Sequence, residues 1–282
     1  MKYVLALDQG TTSSRAAIVG EDGKIVCILN REFPQIYPRE GWVEHDPEDI
    51  LNTQITALQK AVELSGVEVQ DIAAIGYISL GSMDASVKAL KVARNPEDGA
   101  EAVYVEATPE NVASGDYAIA RPFNIAYKAD SLSATAQDFI NWILSAEGQA
   151  IVTAQKYVAK EPAEYQAAPV AGKIVIGGSS SVGPLMQKLE EAYEELHPEV
   201  DIEVQISDSS TGMHGAADGS FDIGMASREV KASELEAGLT PVPICMDGIA
   251  VIVNNDNAVE GLTLNQIRDI FTGEIVDWDE VK

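Results

Sequence analysis

Cationic side chains are scarce in this 282-residue chain: Lys and Arg number 19 against 45 Asp and Glu, for a formal charge of −26. Such a surplus repels polyanions at long range, which argues against nonspecific binding to nucleic acid or to anionic membrane. A phosphate-sized anion is not excluded, because aligned backbone N–H groups can hold one without formal positive charge. Cysteine is nearly absent. Cys27 and Cys245 lie far apart in apolar runs, a spacing unsuited to zinc, and both are expected as buried thiols. No apolar run of about 20 residues is present to span a bilayer, so no membrane insertion is expected. The stretch from Met1 to Leu7 is interrupted by Asp8 and lacks a secretory hydrophobic region, so the chain as written is expected to remain cytoplasmic. Aromatic residues are also few, at 6%.

What is present is aliphatic. With 46% hydrophobic residues rich in Val, Ile, Leu and Ala, the chain suits α/β layers in more than one domain. Tyr3 to Leu7 reads as a buried strand, followed by the turn Asp8 to Ser14 and a second strand from Arg15 to Val19. Glu21-Asp22-Gly23 signals a hairpin into Lys24 to Leu29. Asp46 and Pro47 then start a helix whose apolar positions are Ile50, Leu51, Ile55, Leu58, Ala61 and Val62, ended by Gly66. Another strand follows at Ile72 to Ile75.

The strings Ala6-Leu7-Asp8-Gln9-Gly10-Thr11-Thr12-Ser13-Ser14-Arg15 and Gly41-Trp42-Val43-Glu44-His45-Asp46-Pro47 make residues 1–75 similar to the amino terminus of carbohydrate kinases of the glycerol kinase type. The resemblance implies that Asp8, Gly10, Thr11, Thr12 and Arg15 would lie near ATP phosphates and their metal. Small and hydroxyl side chains there let backbone approach a polyanion. The same family continues from this strand into an Arg-Glu pair that holds the polyol, whereas this chain continues into Tyr77-Ile78-Ser79-Leu80-Gly81-Ser82. Without that site, a second nucleotide-binding half or a catalytic base, no kinase activity is expected.

Beyond this segment, Ile75 to Ser82, Val87 to Val92, Tyr117 to Phe123 and Asp138 to Gln149 resemble the carboxy-terminal half of phosphate ABC-transporter substrate-binding proteins. Read by itself, Tyr117 to Tyr127 is a strand interrupted by Pro122, and Phe139, Ile140, Ile143 and Leu144 form a helical apolar face. Residues 160–171, with Pro162 and Pro169, form a linker between segments 76–159 and 172–282. The latter resembles the amino-terminal half of the same family. It carries strands at Lys173 to Ile176 and Ile202 to Ile206, a unit from Phe221 to Arg228, and a fourth strand from Gly248 to Asn254. A helix presents Val182, Leu185, Met186, Leu189, Tyr193 and Leu196, and the string Ile270 to Ile275 follows further on.

Three loops at strand ends carry the chemistry, and the resemblance assigns phosphate to them through Ser180, Ser181, Val182, Ser209, Ser210, Thr211 and Ser227. Arg228 is a further candidate that either pairs with phosphate or points to solvent; some relatives have an Asp at this loop. Helix N-termini supply unpaired N–H groups, although each serine alone would fit ordinary capping. His197 and His214 are expected as cap or surface residues, and Glu190, Glu191, Glu194 and Glu195 as a solvated face. The expected fold is α/β, a periplasmic-binding-protein-like lobe with permuted halves plus a ribonuclease-H-like kinase fragment within a hybrid second lobe. The closure loop that relatives place between the halves has no counterpart. The function implied is noncatalytic binding of inorganic phosphate or a similar oxyanion, weakened by that loss. No cofactor or resident metal is implied, and a transporter permease is a partner only if the protein is exported. An ATP-binding kinase remnant, or a chimera without ligand, are the alternatives.

Overall fold

The computed structural model describes residues 3–9, 13–20, 22–36, 45–68, 72–73, 75–97, 100–275 and 277–281. The chain forms two compact units, Met1–Gly76 with Val253–Lys282, and Tyr77–Ile252.

In the first unit, β1 (Tyr3–Gln9), β2 (Ser13–Gly20) and β3 (Ile25–Glu32) form an antiparallel meander, followed by α1 (Pro47–Ser65) and β4 (Ile72–Ala73). The sheet order is β3-β2-β1-β4, with β4 parallel to β1. Asp46 caps α1 by accepting from Glu48 N at 2.8 Å, Pro47 opens the helix, and Gly66 ends it in the left-handed conformation at φ 67°. The helix lies on the sheet through small residues, Ala57 and Ala61 against Ala16 and Ile18. Its sheet-facing side is therefore offset from the expected one, and Leu51 and Ile55 stay exposed. Cys27 is only half-buried.

The second unit begins with β5 (Ile75–Ser79), β6 (Lys88–Ala89), β7 (Lys91–Ala93), β8 (Tyr104–Val105) and α2 (Pro109–Ala113). Next come β9 (Ala120–Lys128), α3 (Ala134–Ile143), α4 (Ala146–Ala154) and β10 (Val158–Ala159). After the linker stand β11 (Gly172–Ser179), α5 (Gly183–Leu196), β12 (Val200–Ser207), α6 (Ser209–Asp218), β13 (Ile223–Ala226), α7 (Ala232–Glu236) and β14 (Leu239–Val253). Beyond the second unit, the chain continues into β15 (Gly261–Thr263) and α8 (Leu264–Thr272), which fall in the first unit. There Thr263 and Gln266 form a reciprocal capping box, and Gly273 ends the helix.

The main sheet runs β10-β14-β9-β13-β11-β12, with β5 and β6 also paired to β14. Strands β12, β11 and β13 are parallel, whereas β9 is antiparallel to both its neighbours, β13 and β14. A strand from before the linker thus completes a sheet built largely after it. Pro122 does not interrupt β9: β13 ends opposite Asn124, so at Pro122 the strand has no β13 partner and needs no second ladder donor. Strand β14 is longer than expected, running back to Leu239 through a register shift between Pro243 and Cys245.

One face of this sheet holds the larger core. Phe123, Ile125, Ile174 and Ile176 meet Phe139, Ile140 and Ile143 from α3 and Leu185, Met186, Leu189 and Tyr193 from α5. Leu196, expected on the same stripe, is exposed. The linker packs against this core through Tyr165 and Val170. Tyr165 Oη donates to Asp138 Oδ2 at 2.8 Å, and Ala163 N donates to Leu144 O at 2.8 Å. His197 is the C-cap of α5, its ring tilted at 35° to that of Tyr193 with centroids 4.5 Å apart, while His214 is exposed.

Candidate anion-binding site

Parallel pairing brings three strand ends to one edge. Ser179 at the end of β11 is opposite Ser207 at the end of β12, and Gly178 is opposite Met225, one residue before the end of β13. The loops that follow carry the serines singled out by sequence, and their contacts bring them together. Ser180 N donates to Ser207 O at 2.9 Å, and Ser227 N donates to Ser209 Oγ at 3.2 Å.

This convergence depends on glycine. Gly178 has φ 135°, and a Cβ there would strike the Met225 carbonyl oxygen and come within 2.9 Å of Gly212 Cα. A Cβ on Gly212 would stand 2.7 Å from Gly177 O and Gly178 Cα. Only bare backbone at both positions lets the start of α6 settle against β11 and β13.

The three loops differ in what they leave open. In the first, Val182 is the N-cap residue of α5, adopts helical angles and is fully buried, and no side chain caps the helix. Ser180 is exposed and Ser181 half-buried. Among the described residues neither hydroxyl has a hydrogen-bond partner. In the second loop every hydroxyl is engaged. Ser209 Oγ accepts from Ser227 N, Ser210 Oγ receives Arg228 Nη2 at 3.5 Å, and Thr211 Oγ1 donates to Asp208 Oδ2 at 2.6 Å. Asp208 also caps α6, its Oδ1 accepting from Ser210 N at 2.8 Å and Thr211 N at 3.1 Å. The Thr211 hydroxyl holds the Asp208 carboxyl below the usual carboxylate range.

In the third loop Arg228 neither points freely to solvent nor stands free for an anion. Its Nη1 and Nη2 bind Glu234 Oε2 and Oε1 at 2.9 and 2.8 Å, and Nη1 also donates to Glu229 O. The Glu234 bond raises the guanidinium's pKa, and Arg228 in turn lowers that of Glu234. Buried Asn124, brought in by β9, donates to Arg228 O at 2.9 Å and fixes the loop backbone. Asp208, Glu234 and Asn124 escaped the sequence reading. The Asp-x-x-Thr capping pattern could have pointed to Asp208, but nothing local pairs Asn124 with residue 228.

In the first unit, Gly10, Thr11 and Thr12 lie outside the described residues. Asp8 and Arg15 stand opposite each other across β1 and β2 as an exposed pair at 3.4 Å.

Residues 163–282 match the PBP superfamily domain. The phosphate-binding protein PstS 2 of Streptococcus agalactiae is 47% identical over 213 residues, 75% of this chain and 69% of that protein. The chain belongs to the phosphate-binding protein family. A crystal structure of a phosphate-binding protein of a phosphate ABC transporter from Streptococcus pneumoniae TIGR4 agrees in fold. It is 42% identical, with a TM-score of 0.64 over 74% of this chain and 77% of that chain. This phosphate-binding protein family member carries a second ancestry. Residues 3–87 match the N-terminal domain of the FGGY family of carbohydrate kinases. Glycerol kinase of Pseudothermotoga lettingae is 59% identical over 75 residues, 27% of this chain and 15% of the enzyme. The chain is a chimera of the two families.

Proposed function

We propose that the second unit binds phosphate or a related oxyanion, without catalysis, through Ser180, Ser181, Val182, Ser209, Ser210, Thr211 and Ser227. The observation that carries this reading is the uncapped start of α5 beside the free hydroxyls of Ser180 and Ser181, at the edge where three parallel strands end. The first-turn amides of Gly183 and Leu185 and the positive end of the helix dipole favour an anion there, although Pro184 has no N–H and Val182 N already donates to Ser179 O at 3.0 Å. The names of the relatives point to the same ligand class. The placement of β9 between β13 and β14 supports reading segments 76–159 and 172–282 as two halves of one lobe in permuted order, joined by residues 160–171. The meander, helix and parallel strand of the first unit support a ribonuclease-H-like kinase fragment without activity of its own. A permease partner belongs to this reading only for an exported form.

Affinity is modest on this reading, because the rim guanidinium of Arg228 is committed to Glu234. A charge-assisted hydrogen bond contributes about 1.5–3 kcal/mol, so each one not made weakens binding about tenfold or more. Thermal unfolding with phosphate, sulfate or magnesium-ATP at matched ionic strength tests the proposal. At a phosphate concentration of about 100 times Kd the native state gains about 2.7 kcal/mol. A melting temperature unmoved across millimolar phosphate defeats the reading, and protection by magnesium-ATP alone transfers it to the kinase-derived segment.

A further inference from the structure

The α6 side of this rim already holds an anion, and the anion is part of the chain. Asp208 accepts from the amides of Ser210 and Thr211 and from the Thr211 hydroxyl, the donors an oxyanion at the start of α6 would need. The α5 side has no such occupant. We propose that Asp208 sets the oxyanion affinity of this rim by competing, as a tethered carboxylate, for the α6 donors. The inference rests on the phosphate reading and adds a residue that opposes the ligand rather than holding it.

The electrostatics agree. Arg228 is neutralised by Glu234 through two hydrogen bonds, so Asp208, Arg228 and Glu234 together carry one net negative charge. An approaching oxyanion meets that charge at an exposed rim, where the like-charge repulsion is modest and is screened by salt. It must also displace the carboxylate from two amides or forgo them. The Thr211 hydroxyl holds the Asp208 carboxyl below the usual carboxylate range, so protonation does not lift the competition near neutrality.

Capping alone does not account for the charge. Asn, Asp and Ser cap helix N-termini about equally well. An Asp208→Asn chain therefore keeps the cap acceptor and loses only the charge. Calorimetric titration of inorganic phosphate into the full chain, wild type against Asp208→Asn, separates the roles. The expected result is binding about tenfold tighter, or more, in the variant, with the gap narrowing as salt rises from 0.05 to 0.5 M, roughly as Debye screening dictates. Equal affinities in two folded proteins overturn the inference while leaving the phosphate site standing. Weaker binding in Asp208→Asn also overturns it, by making the carboxylate a ligand contact. Binding by neither chain removes the phosphate reading and this inference with it. Asp208→Ser, which also retains a capping oxygen, replaces the Asn variant if that one fails to fold.

Discussion

Glu190 sits on α5 among Glu191, Glu194 and Asp201, and burial followed by those charges pushes its pKa up to about 7. The run is thus not the uniformly solvated face that its sequence suggests. Glu194 accepts from Ile202 N at 2.7 Å, and Lys188 pairs with Glu191. The folded state holds the Glu190 proton more tightly than the unfolded chain. Its stabilising effect is therefore complete below about pH 4.5 and is lost as pH rises through about 7. Glu190→Gln should raise the melting temperature at pH 8, by about 1–3 °C for a chain of this size, with little change at pH 4.5. Melting curves at the two pH values check this, and equal shifts at both would attribute the effect to packing. Arg121 offers a sharper case. Its Nε donates to fully buried Asp247 at 3.0 Å, and Ser79 Oγ donates to the same carboxylate at 2.6 Å. Arg121→Met leaves the charge buried and should cost about 3–5 kcal/mol in urea unfolding.

Among the elements, β9 and α6 explain what the sequence could and could not reveal. The strand-loop-helix units at β11–α5 and β12–α6 were legible, because apolar runs, glycines and helical stripes are local. Loop positions at Ser180 and Ser209 followed from those units, and that of Ser227 from the unit Phe221 to Arg228. The partners of β9 were not legible, since Asn124 pairs with Ala226 across 102 positions and no local period encodes such a register. The state of the site was equally hidden. Arg228 looks cationic in sequence, yet Glu234 on α7 absorbs it, and the caps of α5 and α6 differ although both starts are rich in serine. The close approach of α6 to β11 gives an element-scale prediction. Gly212→Ala places a methyl against the backbone of Gly177 and Gly178, and should cost about 1–3 kcal/mol while weakening any phosphate response. Unfolding and titration of the same variant check both, and an unperturbed stability would show that the loops have room to part.

For the molecule as a whole, two compact units imply that a ligand on the second need not protect the first. Hydrogen exchange with and without phosphate should show slowing confined to residues 77–252, with β1, β2 and α1 unchanged. Slowing in all three would mean that the units unfold together. The linker supplies a second test. Cleavage at a site engineered into residues 160–171 should leave the two parts of the second unit eluting as one species, because β9 is hydrogen-bonded on both edges. Separation of the fragments after cleavage would overturn that expectation. The same strand decides how this unit would respond to mechanical load. To extract β9 lengthwise, a pulling force must shear its nine registered pairs with β14 and its three with β13, rather than unzip them one at a time. The sheet would then yield late and abruptly, as a brittle clasp does.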